Sequence, residues 1–151
     1  MKKIQSFTVD HTKLLPGLYV SRTDGDAITY DLRCRKPNTD DLMDNATMHS
    51  VEHLFATFVR NGPFAEKILY FGPMGCQTGF YLICRDLAPE EVKKEIFRVL
   101  REILRYDGPM PGGSEVECGN WRNLSLEKGK AECRRYLNEL MKRKIDFQYE
   151  V

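Results

Sequence analysis

The apolar positions change their spacing several times along the 151 residues, and each change marks an element. Residues 18–22 (Leu-Tyr-Val-Ser-Arg) and 27–33 (Ala-Ile-Thr-Tyr-Asp-Leu-Arg) read as two strands. Asp24-Gly25 between them supplies turn chemistry for a hairpin. The spacing then becomes helical, with Val51, Leu54, Phe55, Phe58 and Val59 on one face. Asp44, Asn45 and Thr47 are candidate caps at its start, and Asn61-Gly62-Pro63 stops it. Residues 67–71 and 79–84 form two more expected strands, joined by a segment containing glycine and proline at 72–78. A second helix is expected from Pro89, a favoured first helical position, with Glu90 and Glu91 beside the positive helix end. Its buried stripe is Val92, Ile96, Val99, Leu100, Ile103 and Leu104. A loop rich in glycine and proline covers 107–116, and a last helix runs from after Ser125 to about Lys144. Strands and helices alternate only loosely, which predicts an α+β fold with an antiparallel sheet packed against helices. With no repeat, low-complexity tract or long linker, one domain is expected over 1–151.

Composition narrows the classes of function. The chain is 42% hydrophobic, enough for one core, and 23 basic residues against 22 acidic ones leave a net charge of +1. Arg134, Arg135, Lys142, Arg143 and Lys144 crowd the C-terminal part, where they read as a solvated helix face and not as a nucleic-acid surface. No apolar run approaches the roughly 20 residues that cross a bilayer. The basic start Met1-Lys2-Lys3 is not followed by an apolar signal region, so no membrane association and a cytoplasmic location are expected. Five cysteines, an odd number at wide spacing, suit a reducing compartment with metal-binding or catalytic thiols better than a disulfide framework.

The chemistry concentrates in His49-Ser50-Val51-Glu52-His53. Histidines at i and i+4 share a helix face, so both imidazoles can reach one ion, and Glu52 points the same way without having to be a ligand. A pair of exposed helix histidines is the plain alternative, but His49 and His53 are two of only three histidines in the chain. A catalytic cation needs one more protein ligand. Cys118, in the turn-like Glu117-Cys118-Gly119-Asn120, stands out for that part, whereas Cys133 and Cys84 occupy apolar positions and read as core. Cys76 lies in a loop with Gly75 and Gly79 near it, where backbone can approach a ligand closely, and it is a candidate acid or base.

His-x-x-Glu-His, Met74-Gly75-Cys76-Gln77-Thr78-Gly79 and Glu117-Cys118-Gly119, in that order, make the chain resemble the LuxS family, the S-ribosylhomocysteine lyases or autoinducer-2 synthases. The likeness begins at Ser6-Phe7-Thr8-Val9-Asp10-His11. It continues through Tyr30-Asp31-Leu32-Arg33 and Pro37-Asn38 to Leu126-Glu127-Lys128-Gly129. The resemblance implies a homodimer with sites at the subunit interface. It implies one divalent metal per subunit on His49, His53 and Cys118, with ferrous iron as the native ion and zinc or cobalt able to replace it. It implies that Glu52 and Cys76 carry protons, and that Ser6, His11 and Arg33 contact substrate bound mainly to the neighbouring subunit. Cys34 is given no role, and 61–71 aligns too poorly to transfer the residues that hold the amino-acid end of the substrate.

The implied reaction cleaves the thioether of S-ribosylhomocysteine to homocysteine and 4,5-dihydroxy-2,3-pentanedione. Elimination at C5 needs a carbonyl at C3, so the carbonyl must first move from C1 to C2 and then to C3. Two rival readings start from the same residues. One is an inverted-zincin metallopeptidase with Glu52 activating a zinc-bound water. The other is a non-enzymatic zinc-stabilised binding domain using His49, His53, Cys118 and Cys76.

Overall fold

Both expected hairpins join into one four-stranded antiparallel sheet in the computed structural model, which describes residues 1–150. The strands are β1 (Gly17–Asp24), β2 (Ala27–Arg33), β3 (Ile68–Pro73) and β4 (Gly79–Arg85), in the order β1-β2-β4-β3. The second hairpin thus docks through β4 onto β2, pairing Arg33 with Gly79 and Ala27 with Arg85. Three helices, α1 (Asn45–Arg60), α2 (Pro89–Arg105) and α3 (Leu126–Met141), complete a single α+β domain.

Each helix begins where its local chemistry satisfies free backbone donors. Asp44 is the N-cap of α1 and accepts from Thr47 N at 2.8 Å, and Ser125 caps α3 by accepting from Lys128 N at 3.2 Å. Pro89 opens α2, where the Glu91 side chain reaches back to Ala88 N at 3.1 Å. The helical spacings bury as expected: Val51, Leu54, Phe55 and Val59 from α1 meet Val92, Ile96, Val99, Leu100 and Ile103 from α2 in one core. That core also takes in Tyr30, Leu32, Phe71, Phe80 and Leu82 from the sheet, and Cys133, Tyr136, Leu137 and Leu140 from α3.

Alternation along β2 decides where the polar chemistry goes. Tyr30 and Leu32 enter the shared core, so Asp31 and Arg33 must project from the opposite face of the sheet. Both are nevertheless buried, at 1% and 3% exposure. Their cover comes from the segment after α3, which leaves the helix at Met141, three residues earlier than its composition suggests. That segment returns along β1, with Val20 N donating to Phe147 O at 2.8 Å and a parallel bridge between Tyr19 and Phe147. Three short 3-10 turns, Gln5–Phe7, Ala65–Lys67 and Trp121–Asn123, have no counterpart in the apolar pattern, because three residues are too few to show a period. Among the described residues no helix is long and apolar enough to cross a membrane.

Candidate active site

Helix α1 carries His49 and His53 one turn apart, and the loop between α2 and α3 brings Cys118 to them. The ligand atoms of these three half-buried residues lie within 4.8 Å of one another. Cys118 Sγ is 3.4 Å from His49 Nε2, although 69 residues separate the two in sequence. The donor set and its mutual distances fit a tetrahedral cation site with a fourth position free for substrate or water.

The surroundings prepare the rings for that role. His53 Nδ1 lies 2.8 Å from Pro111 O, so Nδ1 carries the proton and donates it, leaving the Nε2 lone pair free. Gly112, next in the chain, has φ 65°, and a Cβ there would stand 2.9 Å from His53 Nδ1. Glycine therefore meets two demands at once, a left-handed backbone and close contact with a ring. Asn123 Nδ2 is 3.2 Å from His49 Nδ1 and 2.6 Å from Asn45 Oδ1. His49 would hold a cation through Nε2, the atom that faces Cys118, while Asn123 orients the ring from the Nδ1 side. Burial, then the neighbouring His53, holds the His49 imidazole below its ordinary pKa, with the Glu52 carboxylate pulling weakly the other way. A neutral ring is the form that binds a cation. Glu52, half-buried on α1, thus feels the same site without belonging to the ligand trio.

A second cluster forms on the outer face of the sheet. Arg33 donates through Nε and Nη2 to the two carboxylate oxygens of Asp31, at 3.1 and 2.7 Å. Its Nη1 donates to Thr78 Oγ1 at 2.7 Å and lies 3.8 Å from Cys76 Sγ. Cys76 and Thr78 are themselves 3.1 Å apart. Burial opposes the charge of Arg33, but Asp31 more than offsets it, and the guanidinium titrates above its ordinary range. Cys76 is exposed at the tip between β3 and β4, beside Gln77 at φ 68°. The flanking glycines differ from one another. Gly75 has open space around it, and Gly79 is required by the sheet, since a Cβ there would meet Leu32 O at 2.6 Å.

The other thiols separate cleanly from these two. Cys34, Cys84 and Cys133 are buried, and burial raises all three, Cys84 to about 12, so they remain neutral packing groups. Ser6 sits in the first 3-10 turn, and the His11 ring meets Val9 two residues back, Nδ1 to Val9 O at 2.9 Å. No hydrogen bond joins either residue to the two clusters among the described residues. Nor does one join Cys76 to the His49–His53–Cys118 trio.

Sequence comparisons agree with this geometry. The profile of the family described as S-Ribosylhomocysteinase (LuxS) matches residues 4–147. The chain is similar to an S-ribosylhomocysteine lyase of Desulfotalea psychrophila, 47% identical over 150 residues that cover 93% of this chain and 92% of the relative. Relatives of the same name from Borreliella burgdorferi and Clostridium beijerinckii are 45% and 44% identical over 146 and 147 residues. Each match spans 93% of this chain, and 93% and 92% of the respective relative.

Proposed function

The chain belongs to the S-ribosylhomocysteinase (LuxS) family, and from that premise we propose that residues 1–151 act as one domain, a homodimeric cytoplasmic lyase with one divalent cation per subunit. The activity is that of a carbon–sulfur lyase: S-ribosylhomocysteine is cleaved to homocysteine and 4,5-dihydroxy-2,3-pentanedione. The single observation that carries the metal-dependent reading is the convergence of His49, His53 and Cys118 within 4.8 Å.

His49 and His53 through Nε2 and Cys118 through Sγ would hold the cation. When bound there, it supplies Lewis acidity for the negative charge that develops on the sugar oxygens. Two imidazoles and a thiolate suit ferrous iron, which we take as native, and equally zinc or cobalt.

The protein's own groups move the protons. Shifting the carbonyl from C1 to C2 and from C2 to C3 takes a proton from one carbon and returns it to the next, with no net change in oxidation. Glu52, on the ligand helix, and Cys76, beside the Arg33 guanidinium, are the two carriers. With the carbonyl at C3, loss of the C4 proton drives the electron pair into the C4–C5 bond and expels the C5 thiolate. That thiolate is protonated to homocysteine, and the remaining enol becomes the diketone. Arg33, Ser6 and His11 orient the substrate. Arg33 and Cys76 are in contact, so a subunit that lends one to its neighbour's site lends the other as well.

Neither rival reading finds support. A closed four-ligand zinc site needs a fourth donor, and Cys76 is engaged with Arg33 and Thr78, outside the ligand trio. The relatives at 44–47% identity carry the lyase name and no peptidase name.

Thiol release from S-ribosylhomocysteine tests the function. It is expected with ferrous ion under anaerobic conditions, and it should vanish with chelator or in Cys118→Ala. Undiminished turnover in metal-loaded Glu52→Gln removes Glu52 from the proton path. Mixing Cys118→Ala with Cys76→Ala chains tests the shared interface. Random hybrid dimers with one intact site restore about a quarter of wild-type activity if Cys76 serves the partner's cation, and none if each site is made by one chain.

A further inference from the structure

We propose that Tyr149, in the C-terminal segment, is a positioning residue for the proton-carrying thiol, acting through Asp31 and Arg33 on Cys76. The proposal rests on the lyase reading, in which Cys76 moves protons.

The chain of contacts is continuous. Tyr149 donates its hydroxyl to Asp31 Oδ2 at 2.7 Å, the same oxygen that accepts from Arg33 Nη2 at 2.7 Å. Arg33 Nε takes the other oxygen, so the carboxylate grips the guanidinium side-on at two points. A planar fork held at Nε and Nη2 has no freedom left at Nη1, which faces Thr78 Oγ1 and Cys76 Sγ. The direction of Asp31 therefore sets where a positive edge meets the sulfur.

Nothing in the helix layer explains this arrangement. Cross-strand register places Tyr19, Asp31 and Tyr81 in one row, with Gly17, Arg33 and Gly79 in the next. Glycine on both sides of Arg33 leaves its row without cross-strand side chains, and the Tyr19 ring leans over Gly17, where a Cβ would stand 3.0 Å from its hydroxyl. The roof is Tyr149, stacked on Tyr19 with ring centroids 4.8 Å apart. Burial first, and Asp31 next, hold the Tyr149 phenol far above its ordinary range, so it stays a donor at any working pH.

The hydroxyl has a specific electrical effect. By donating to Asp31 it draws on the carboxylate's charge, leaving more of the Arg33 charge directed at Sγ. Without it, Asp31 neutralises Arg33 more completely and its direction loosens. The thiolate is the reactive form of cysteine and a nearby cation favours it, so reactivity should fall.

The test uses the full-length, metal-loaded protein and Tyr149→Phe, which keeps the stack on Tyr19. Alkylation of Cys76 by iodoacetamide at pH 7, followed on its peptide by mass spectrometry, is expected to slow about three- to tenfold, the size of one charge-assisted hydrogen bond felt at second hand. The kcat for thiol release should fall by a similar factor, with KM within about twofold and bound metal unchanged. Gln148→Ala, an exposed neighbour in the same segment, should change none of these. Unchanged alkylation in Tyr149→Phe overturns the proposal whatever happens to kcat, and so does an equal loss in Gln148→Ala. A wild-type protein that releases no thiol sinks the lyase reading instead. The alkylation comparison needs no substrate and still judges the contact chain.

Discussion

The two polar clusters are built in opposite ways. The outer-face cluster draws Asp31 and Arg33 from one strand and Thr78 from the end of its partner hairpin, so sheet register alone brings the charges together. Its charged pair is buried and joined at two points, under the cover of the segment after α3. The His49–His53–Cys118 trio joins one helix to a loop lying between two helices. It is half-exposed, and it depends on single contacts from Pro111, Gly112 and Asn123. A pre-formed ion pair aims a reactive group whether or not substrate is present. A ligand trio held by loop contacts can adjust to the ion and to the changing oxygens of a sugar. In the proposed lyase reaction that division would fix one proton carrier, Cys76, and let the charge acceptor follow the carbonyl.

The sharpest break in that comparison is Arg33→Met. It leaves Asp31 buried with only Tyr149 as partner, and an uncompensated buried carboxylate costs about 3–5 kcal/mol. Urea unfolding at pH 7 should register that loss, while the metal content of the folded fraction stays at one per chain. A loss below about 1 kcal/mol would mean that water already reaches the pair and that the cluster is not pre-formed.

Gly112→Ala attacks the other region. A non-glycine residue at φ 65° costs about 1–2 kcal/mol, and the added Cβ pushes on His53 Nδ1, where it would stand 2.9 Å away. Thermal unfolding should show about 2 kcal/mol of destabilisation, and competition with a chelating dye should show metal affinity down more than tenfold. Cys76 alkylation should not change. If it slows as much as metal binding weakens, the two regions are one mechanical unit.

Much of this contrast was legible in the sequence, but unevenly. The helix pair His49 and His53 was readable because a period of 3.6 states which side chains share a face. Cys118 could be nominated by its turn-like setting but not located, since no local pattern says where a loop will lie. The caps Asp44 and Ser125 and the stripe of α2 followed from short-range chemistry. Asp31 was missed as a partner of Arg33, because the two are i and i+2 on one strand and nothing local marks that face as covered. Only the return of 145–150 along β1 buries them, and that return depends on tertiary contacts such as Val20 N to Phe147 O. Gly112, Asn123 and Tyr149 were missed for the same reason. Each matters through a contact with a residue at least 59 positions away.

Asn123→Ala is a smaller, purely local change. It removes the polar contact on His49 Nδ1 that orients the ring, and loss of such an outer partner weakens metal binding by about tenfold or somewhat more. Isothermal titration with zinc or cobalt should show the drop with stability nearly unaltered. An unchanged affinity would mean that helix packing alone aims His49.

The smallest expected effect tests whether the helix under the trio is itself fixed at its start. Hydrogen bonds with Thr47, and then Lys128, hold the Asp44 carboxyl down at about 2, against an ordinary value of 3.8. Its folded value lies below its unfolded one, so the stabilisation is present above about pH 3.8 and is lost as pH falls towards 2. Asp44→Ala should cost about 1 kcal/mol at pH 6, the usual worth of an N-cap. That gap should narrow as pH falls below 4 towards 2. Asp44→Asn keeps an acceptor for Thr47 N and should stay within about 0.5 kcal/mol of wild type, because the ion pair to Lys128 is exposed and screened. A gap for Asp44→Ala that stays constant from pH 6 to pH 2 would show that the carboxylate charge plays no part. The start of α1 would then be held by Asp44 as a neutral acceptor for Thr47 N.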